Sequence, residues 1–164
     1  MIHHIWLRIA LLLLCVISGI KNPAFEEECI TGLPRWEIED AAEWAGISPD
    51  EFELMSAIVE AESDRSDSIH GKTMIALTIF CRQESENFPN SITGVITQSG
   101  AFQVYYEGTY RSTGRTATSD LAVILASMWM KADHPHVVYF NCIGYNNLGT
   151  PFAYVDGNYF ETEG

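Results

Sequence analysis

The longest apolar run in the chain comes first: residues 9–20 read IALLLLCVISGI, preceded by His3, His4 and Arg8. About twelve apolar residues behind a weakly basic start match the core of a signal peptide. A full membrane span needs roughly 20. Residues 1–20 are therefore read as an export segment, either a cleaved signal peptide or an uncleaved N-terminal membrane anchor. Ser18, with Val16 two residues before it, is an acceptable cleavage position, although no A-x-A site is present. Residues 21–35 follow with Asn22-Pro23, the acidic run Glu26-Glu27-Glu28 and Gly32-Leu33-Pro34, a composition that reads as a linker.

From residue 36 the apolar positions take a helical period. Residues 36–45 (WEIEDAAEWA) predict a short helix closed by Gly46. Ser48-Pro49-Asp50-Glu51 supplies an N-cap, a proline at the first helical position and a glutamate three residues on, so a helix should run from there to about residue 64. The run 74–81 is apolar on nearly every side; its flanks, Gly71-Lys72 and Arg82-Gln83-Glu84, favour a buried helix over a strand. Phe88-Pro89-Asn90 is a turn and 92–97 a short amphipathic piece. Residues 99–118, rich in Gly, Ser, Thr and Tyr, read as irregular or as a small hairpin. Ser119-Asp120 can cap a helix through LAVILASMWMK, and 137–140 (VVYF) looks extended. The remainder shows little period. The pattern predicts a small α-rich domain over 36–164 with a loop-dominated, aromatic second half.

Charge narrows the partners. Lys and Arg total 9 against 22 Asp and Glu, a formal net charge of −13. Phosphate recognition rests mainly on cationic side chains, so nucleic acid is excluded as a partner. Docking on an anionic lipid surface by charge is disfavoured for the same reason. Of the four cysteines, Cys29, Cys81 and Cys142 lie beyond the export segment, and one disulfide among them, most naturally through Cys142, suits an exported chain. There is no C-x-x-C, so a zinc ribbon or thioredoxin motif is absent.

Among many carboxylates, Glu60 stands out because Ala57-Ile58-Val59 and Ala61 surround it. Apolar neighbours favour a neutral carboxyl and raise its pKa, the condition a general acid needs near neutral pH. A place on the wet edge of an amphipathic helix is the alternative. Glu62 points roughly 200° away around a helix of about 3.6 residues per turn and can pair with Arg65, which reads as a surface position.

These residues carry a resemblance. Glu60-Ala61, then Gly71-Lys72 opening an apolar helix that ends at Arg82, then FPNSITGVITQSGAF over 88–102, is similar to the spore-cortex-lytic (SleB-like) cell wall hydrolase family. Phe88, Pro89, Gly94, Val95, Ile96, Gln98 and Phe102 fall in the family's order, and 138–141 (VYFN) and 157–160 (GNYF) extend the likeness over about residues 50–161. The resemblance implies an α+β, mainly α, lysozyme-like or resuscitation-factor-like domain that cleaves peptidoglycan glycan strands without a cofactor. It implies one catalytic glutamate, mapped onto Glu60, acting as in a lytic transglycosylase to give a 1,6-anhydro product. Phe102, Gln103, Tyr105, Tyr139 and Asn141 are the expected substrate-binding residues. All seven tyrosines lie at or beyond 105, and their amphipathic rings suit a sugar groove as well as a loop core.

Three positions depart from the family: Cys81 for Asn, Ala101 for the Gln before Phe102, and Tyr159 for the terminal His. They keep open a catalytically inactive wall-binding domain. A hydrolase would use a second carboxyl, for which Asp120, Asp133 and Asp156 are candidates. His70 with His134-Pro135-His136 leaves a zinc amidase as the remaining alternative. The expected partner is the glycan strand of peptidoglycan; the sequence does not fix an oligomeric state.

Overall fold

The computed structural model of the chain describes residues 2–31, 36–63 and 68–164. Its helices are α1 (Ile2–Ser18), α2 (Pro23–Ile30), α3 (Ile38–Ala45), α4 (Pro49–Glu62), α5 (Ile69–Glu84), α6 (Ile92–Thr97), α7 (Gln103–Tyr106), α8 (Thr109–Thr113) and α9 (Ala117–Met130). Three antiparallel strands, β1 (Val137–Asn141), β2 (Thr150–Val155) and β3 (Asn158–Thr162), form one sheet in the order β1-β3-β2.

The best-signalled helix is α4. Ser48 Oγ accepts from the Glu51 backbone N–H, Glu51 reaches back to the Ser48 N–H at 3.3 Å, and Pro49 opens the first turn. At the end of α3, Gly46 takes φ 76°, a left-handed cap that glycine adopts without steric penalty. The central pair is α5 against α9. Helix α5 is buried from Ile69 through Arg82, and α9 likewise buries Leu121 through Ser127. A helix apolar on all sides must be covered on all sides: α4, α6 and β1 complete the jacket of α5.

Three boundaries differ from the sequence reading. Helix α5 begins at Ser68, whose hydroxyl caps the Gly71 N–H, so Gly71 and Lys72 lie inside the helix. Helix α9 is capped by Thr116 rather than by Ser119-Asp120, because the Thr116 and Ser119 hydroxyls bond each other's backbone N–H reciprocally. The expected linker contains α2, capped by Asn22 with Pro23 in the first turn and Cys29 buried; the part of the linker at 32–35 lies outside the described residues.

Helix α1 packs on α9, burying Ile9, Leu12 and Val16 and exposing Leu7, Leu14 and Ile17. Among the described residues no helix is long and apolar enough to cross a membrane. All four cysteines are free thiols, which corrects the expected disulfide. Burial pushes the Cys81 thiol up to about 12, and its Sγ donates to the Pro135 carbonyl at 3.4 Å.

The second half also holds a hairpin that the sequence pattern left unassigned. Strands β2 and β3 turn at Asp156-Gly157, both at positive φ (47° and 91°). On the inner face Phe140 and Phe160 stack at 5.7 Å, and Phe102 lies beside Phe140 at 6.2 Å.

Candidate active site

Where α4 ends, the 100–103 loop and the open ends of β1 and β3 meet it to form a groove of about 300 Å³. Its lining includes Ala61, Glu62, Gly100, Ala101, Gln103, Phe140, Asn141, Cys142 and Asn158. Two close fits bring the loop there. Helix α6 is capped by Ser91, and a Cβ on Gly94 would lie 2.8 Å from both Pro89 Cβ and Ser91 Oγ, so only glycine lets the turn fold back on the helix. Gly100 then reverses the chain at φ 76°.

Among the described residues Glu62 is the only carboxyl in this lining. It is half-buried, and burial pushes its carboxyl above the ordinary value. The Val104 backbone N–H, donating to it, and the Arg82 charge pull the other way, while Glu107 adds to the rise. The surface role read for Glu62 from sequence is thus corrected, since its side chain faces the groove; its expected partner Arg65 lies outside the described residues.

Glu60 has different surroundings. Its carboxylate oxygens lie 3.0 and 2.9 Å from the Lys72 ammonium, and Thr116 Oγ1 donates to one of them at 2.6 Å. Lys72 keeps 3% of its side chain exposed and Glu60 15%. The apolar surroundings expected from Ala57, Ile58 and Val59 are absent at the carboxylate, because the helix turns those groups toward the core and leaves Glu60 facing α5 and Thr116.

The expected sugar-binding residues divide. Gln103 and Asn141 line the groove with Glu62. Gln103 Nε2 donates to Glu107, and Asn141 Oδ1 accepts from the Ile143 and Gly144 N–H groups, leaving its amide nitrogen for other partners. Phe102 is instead 1% exposed, so it forms the floor and offers no surface to a sugar. Tyr105 stacks on Tyr110 at 5.4 Å, and Tyr139 packs beside Phe88 at 6.0 Å, both outside the lining. Arg82, at the end of α5, supports that floor. Its guanidinium lies 5.2 Å from the Phe88 ring and 5.3 Å from the Phe102 ring, and Nε donates to the Val138 carbonyl at 2.6 Å. Burial lowers its pKa to about 10.

None of the candidate second carboxylates joins Glu62. Asp120 is fully buried and bonded to Arg115 and Ser56. Asp133 is exposed, and Asp156 caps the far hairpin turn with Lys21 and Ser68. His134 and His136 lie 5.0 Å apart with Glu84 at 3.9 Å from His134; among the described residues no cluster of metal-ligating side chains forms. A larger cavity of about 360 Å³ lies between α2 and Asp156, and none of its lining belongs to the 88–102 segment.

The family model described as Cell Wall Hydrolase matches residues 66–150, just over half of the chain. No curated protein matches the chain. The catalytic domain of the Bacillus cereus SleB protein is similar in structure, with a TM-score of 0.60 and 22% identity over 70% of this chain and 91% of that one. The catalytic domain of the germination-specific lytic transglycosylase SleB from Bacillus anthracis also gives a TM-score of 0.60 and 22% identity, over 71% of this chain and 98% of that one. The fold is therefore the mainly helical, lysozyme-like one expected from the sequence. The matched segment begins after both Glu60 and Glu62, so it does not choose between them.

Proposed function

Because the chain belongs to the cell wall hydrolase family, we propose that it cleaves peptidoglycan glycan strands between N-acetylmuramic acid and N-acetylglucosamine, with Glu62 as the acid and base. One observation carries this reading: a single carboxyl among the described residues, raised by burial, faces a groove that also presents Gln103 and Asn141. A proton donor must be protonated at working pH, and burial holds Glu62 toward that form.

The Glu62 carboxyl donates its proton to the glycosidic oxygen, breaking the bond from the muramoyl C1 and freeing the N-acetylglucosamine hydroxyl. The resulting carboxylate then takes the proton of the muramoyl C6 hydroxyl as that oxygen closes on C1. The product is a 1,6-anhydro ring, and water is not consumed. Hydrolysis would call for a second carboxyl about 5–5.5 Å away if retaining, or 6.5–9.5 Å if inverting. Among the described residues the groove lining has none, which favours the transglycosylase outcome. Gln103 and Asn141 supply amides suited to an N-acetyl group.

Motif order supports a second assignment, Glu60, which precedes Ala61 as the family pattern requires. Its carboxylate, however, is held by Lys72 and Thr116, away from the groove that Glu62 faces. Cys81, Ala101 and Tyr159 support a second function, an inactive wall-binding domain. Mass spectrometry of the soluble products from purified sacculi tests the main reading. Anhydromuramic ends are expected. Reducing ends would indicate a hydrolase, free stem peptides would indicate an amidase, and absence of products would indicate the binding domain. The wall substrate lies outside the membrane, so we also assign α1 to export, as leader or anchor. Amino-terminal sequencing of the mature chain would show which.

A further inference from the structure

Beyond the groove, the outer face of the sheet carries a row of aromatic rings. The register places Asn141 opposite Tyr159 and Tyr159 opposite Tyr154. Directly opposed residues on antiparallel strands share a face, so these three cross the sheet from β1 through β3 to β2. Tyr154 and Tyr159 lie 4.7 Å apart between ring centroids, and Tyr145, from the loop after β1, joins Tyr159 at 5.1 Å. Tyr154 is 59% exposed and Tyr145 39%. Among the described residues no hydrogen bond occupies the three hydroxyls. A monomeric domain ordinarily covers such a cluster, and a large exposed apolar patch marks an interaction site.

We propose that Tyr145, Tyr159 and Tyr154 form a stacking platform on which the glycan strand continues as it leaves the groove. The proposal rests on the reading that the groove holds a glycan strand. Two observations select this occupant. Asn141, which begins the row, also lines the groove, so a polymer lying beside Glu62 passes onto the rings without a break. The chain's charge of −13 opposes a nucleic acid, an anionic membrane or a second copy of itself, but not an uncharged sugar backbone. Tyrosine suits that polymer because its face takes the apolar side of a sugar ring while its hydroxyl meets the ring's edge. Tyr159, standing where the family pattern has His, makes the platform a feature of this chain rather than of the pattern.

Cosedimentation of the full chain with insoluble sacculi, in the Glu62→Gln background so that the polymer survives, tests the platform. Tyr154→Ala and Tyr145→Ala should each weaken binding roughly threefold to tenfold, and Tyr154→Trp should restore it. Circular dichroism and the thermal midpoint should stay at the parent's values. Unchanged binding in both alanine variants would overturn the proposal, as would a loss that Trp does not rescue. Sedimentation of the parent as a dimer that Tyr154→Ala dissociates, or its binding to neutral phosphatidylcholine vesicles, would overturn it as well. Sacculus cleavage by the wild-type chain alongside unchanged tyrosine-variant binding would sink the platform alone. Binding that depends on the tyrosines without any cleavage would sink the enzyme reading and leave the platform.

Discussion

The Lys72 ammonium sits 3.0 and 2.9 Å from the two carboxylate oxygens of Glu60, one turn inside α5 and with almost none of its side chain in contact with water. Removing one partner of a buried pair strands the other charge, at a typical cost of about 3–5 kcal/mol. Lys72→Met should therefore destabilise the chain by about 3 kcal/mol. Lys72→Met/Glu60→Leu should be less destabilised than the sum of its single variants. Urea unfolding of the four proteins in a double-mutant cycle checks this.

Activity should fall on the alkaline side. Glu62 donates only when protonated, and its carboxyl is raised by burial, so turnover holds at low pH and is lost as pH rises through that raised value. Stability follows the same sign: a folded-state pKa above the unfolded one favours folding below the ordinary carboxylate range and less so above it. Glu107 contributes to the rise, so Glu107→Gln should move the alkaline limb of the pH–rate profile to lower pH. The effect should shrink in high salt because Glu107 is exposed.

Asp156 behaves oppositely. Burial alone would push its carboxyl up, but hydrogen bonds from Lys21 and Ser68, with the Lys21 and His70 charges, hold it below its ordinary value. Its contribution is present above the ordinary aspartate range and is lost as pH falls below it. Asp156→Asn removes the charge and still tolerates φ 47°. The variant should lose up to about 1 kcal/mol at neutral pH, since Lys21 is half exposed. The difference from wild type should vanish in denaturation curves run in acid.

Gly94→Ala should cost about 1–3 kcal/mol, because the new methyl would meet Pro89 Cβ and Ser91 Oγ at 2.8 Å, and the proline ring has little freedom to move aside. The thermal midpoint reads this directly. Activity should fall with it, since the same turn delivers Gly100 and Gln103 to the groove.

The helices that position the site were legible because their signals are local. Ser48 and Glu51 fix the start of α4, and Gly46 ends α3. The β2–β3 hairpin was not, because its alternation is interrupted by a bulge near Pro151 and its turn relies on Asp156 at a positive φ. Helix α2 was hidden by acidic residues that read as solvated linker but follow a proper Asn22 cap. The choice between Glu60 and Glu62 was out of local reach. Both are flanked by alanine on the same helix, and what separates them is Lys72 and Thr116 on one side and the 100–103 loop on the other. Those partners are brought in by packing rather than by neighbouring sequence.

Release of anhydro-muropeptides from purified sacculi by Glu62→Gln and Glu60→Gln, each compared with wild type and each checked for folding, weighs the two carboxyls against each other. Glu62→Gln should abolish release while keeping the wild-type thermal midpoint, and Glu60→Gln should lower the midpoint while a folded fraction still turns over. Full turnover by folded Glu62→Gln, with none from folded Glu60→Gln, would contradict the assignment.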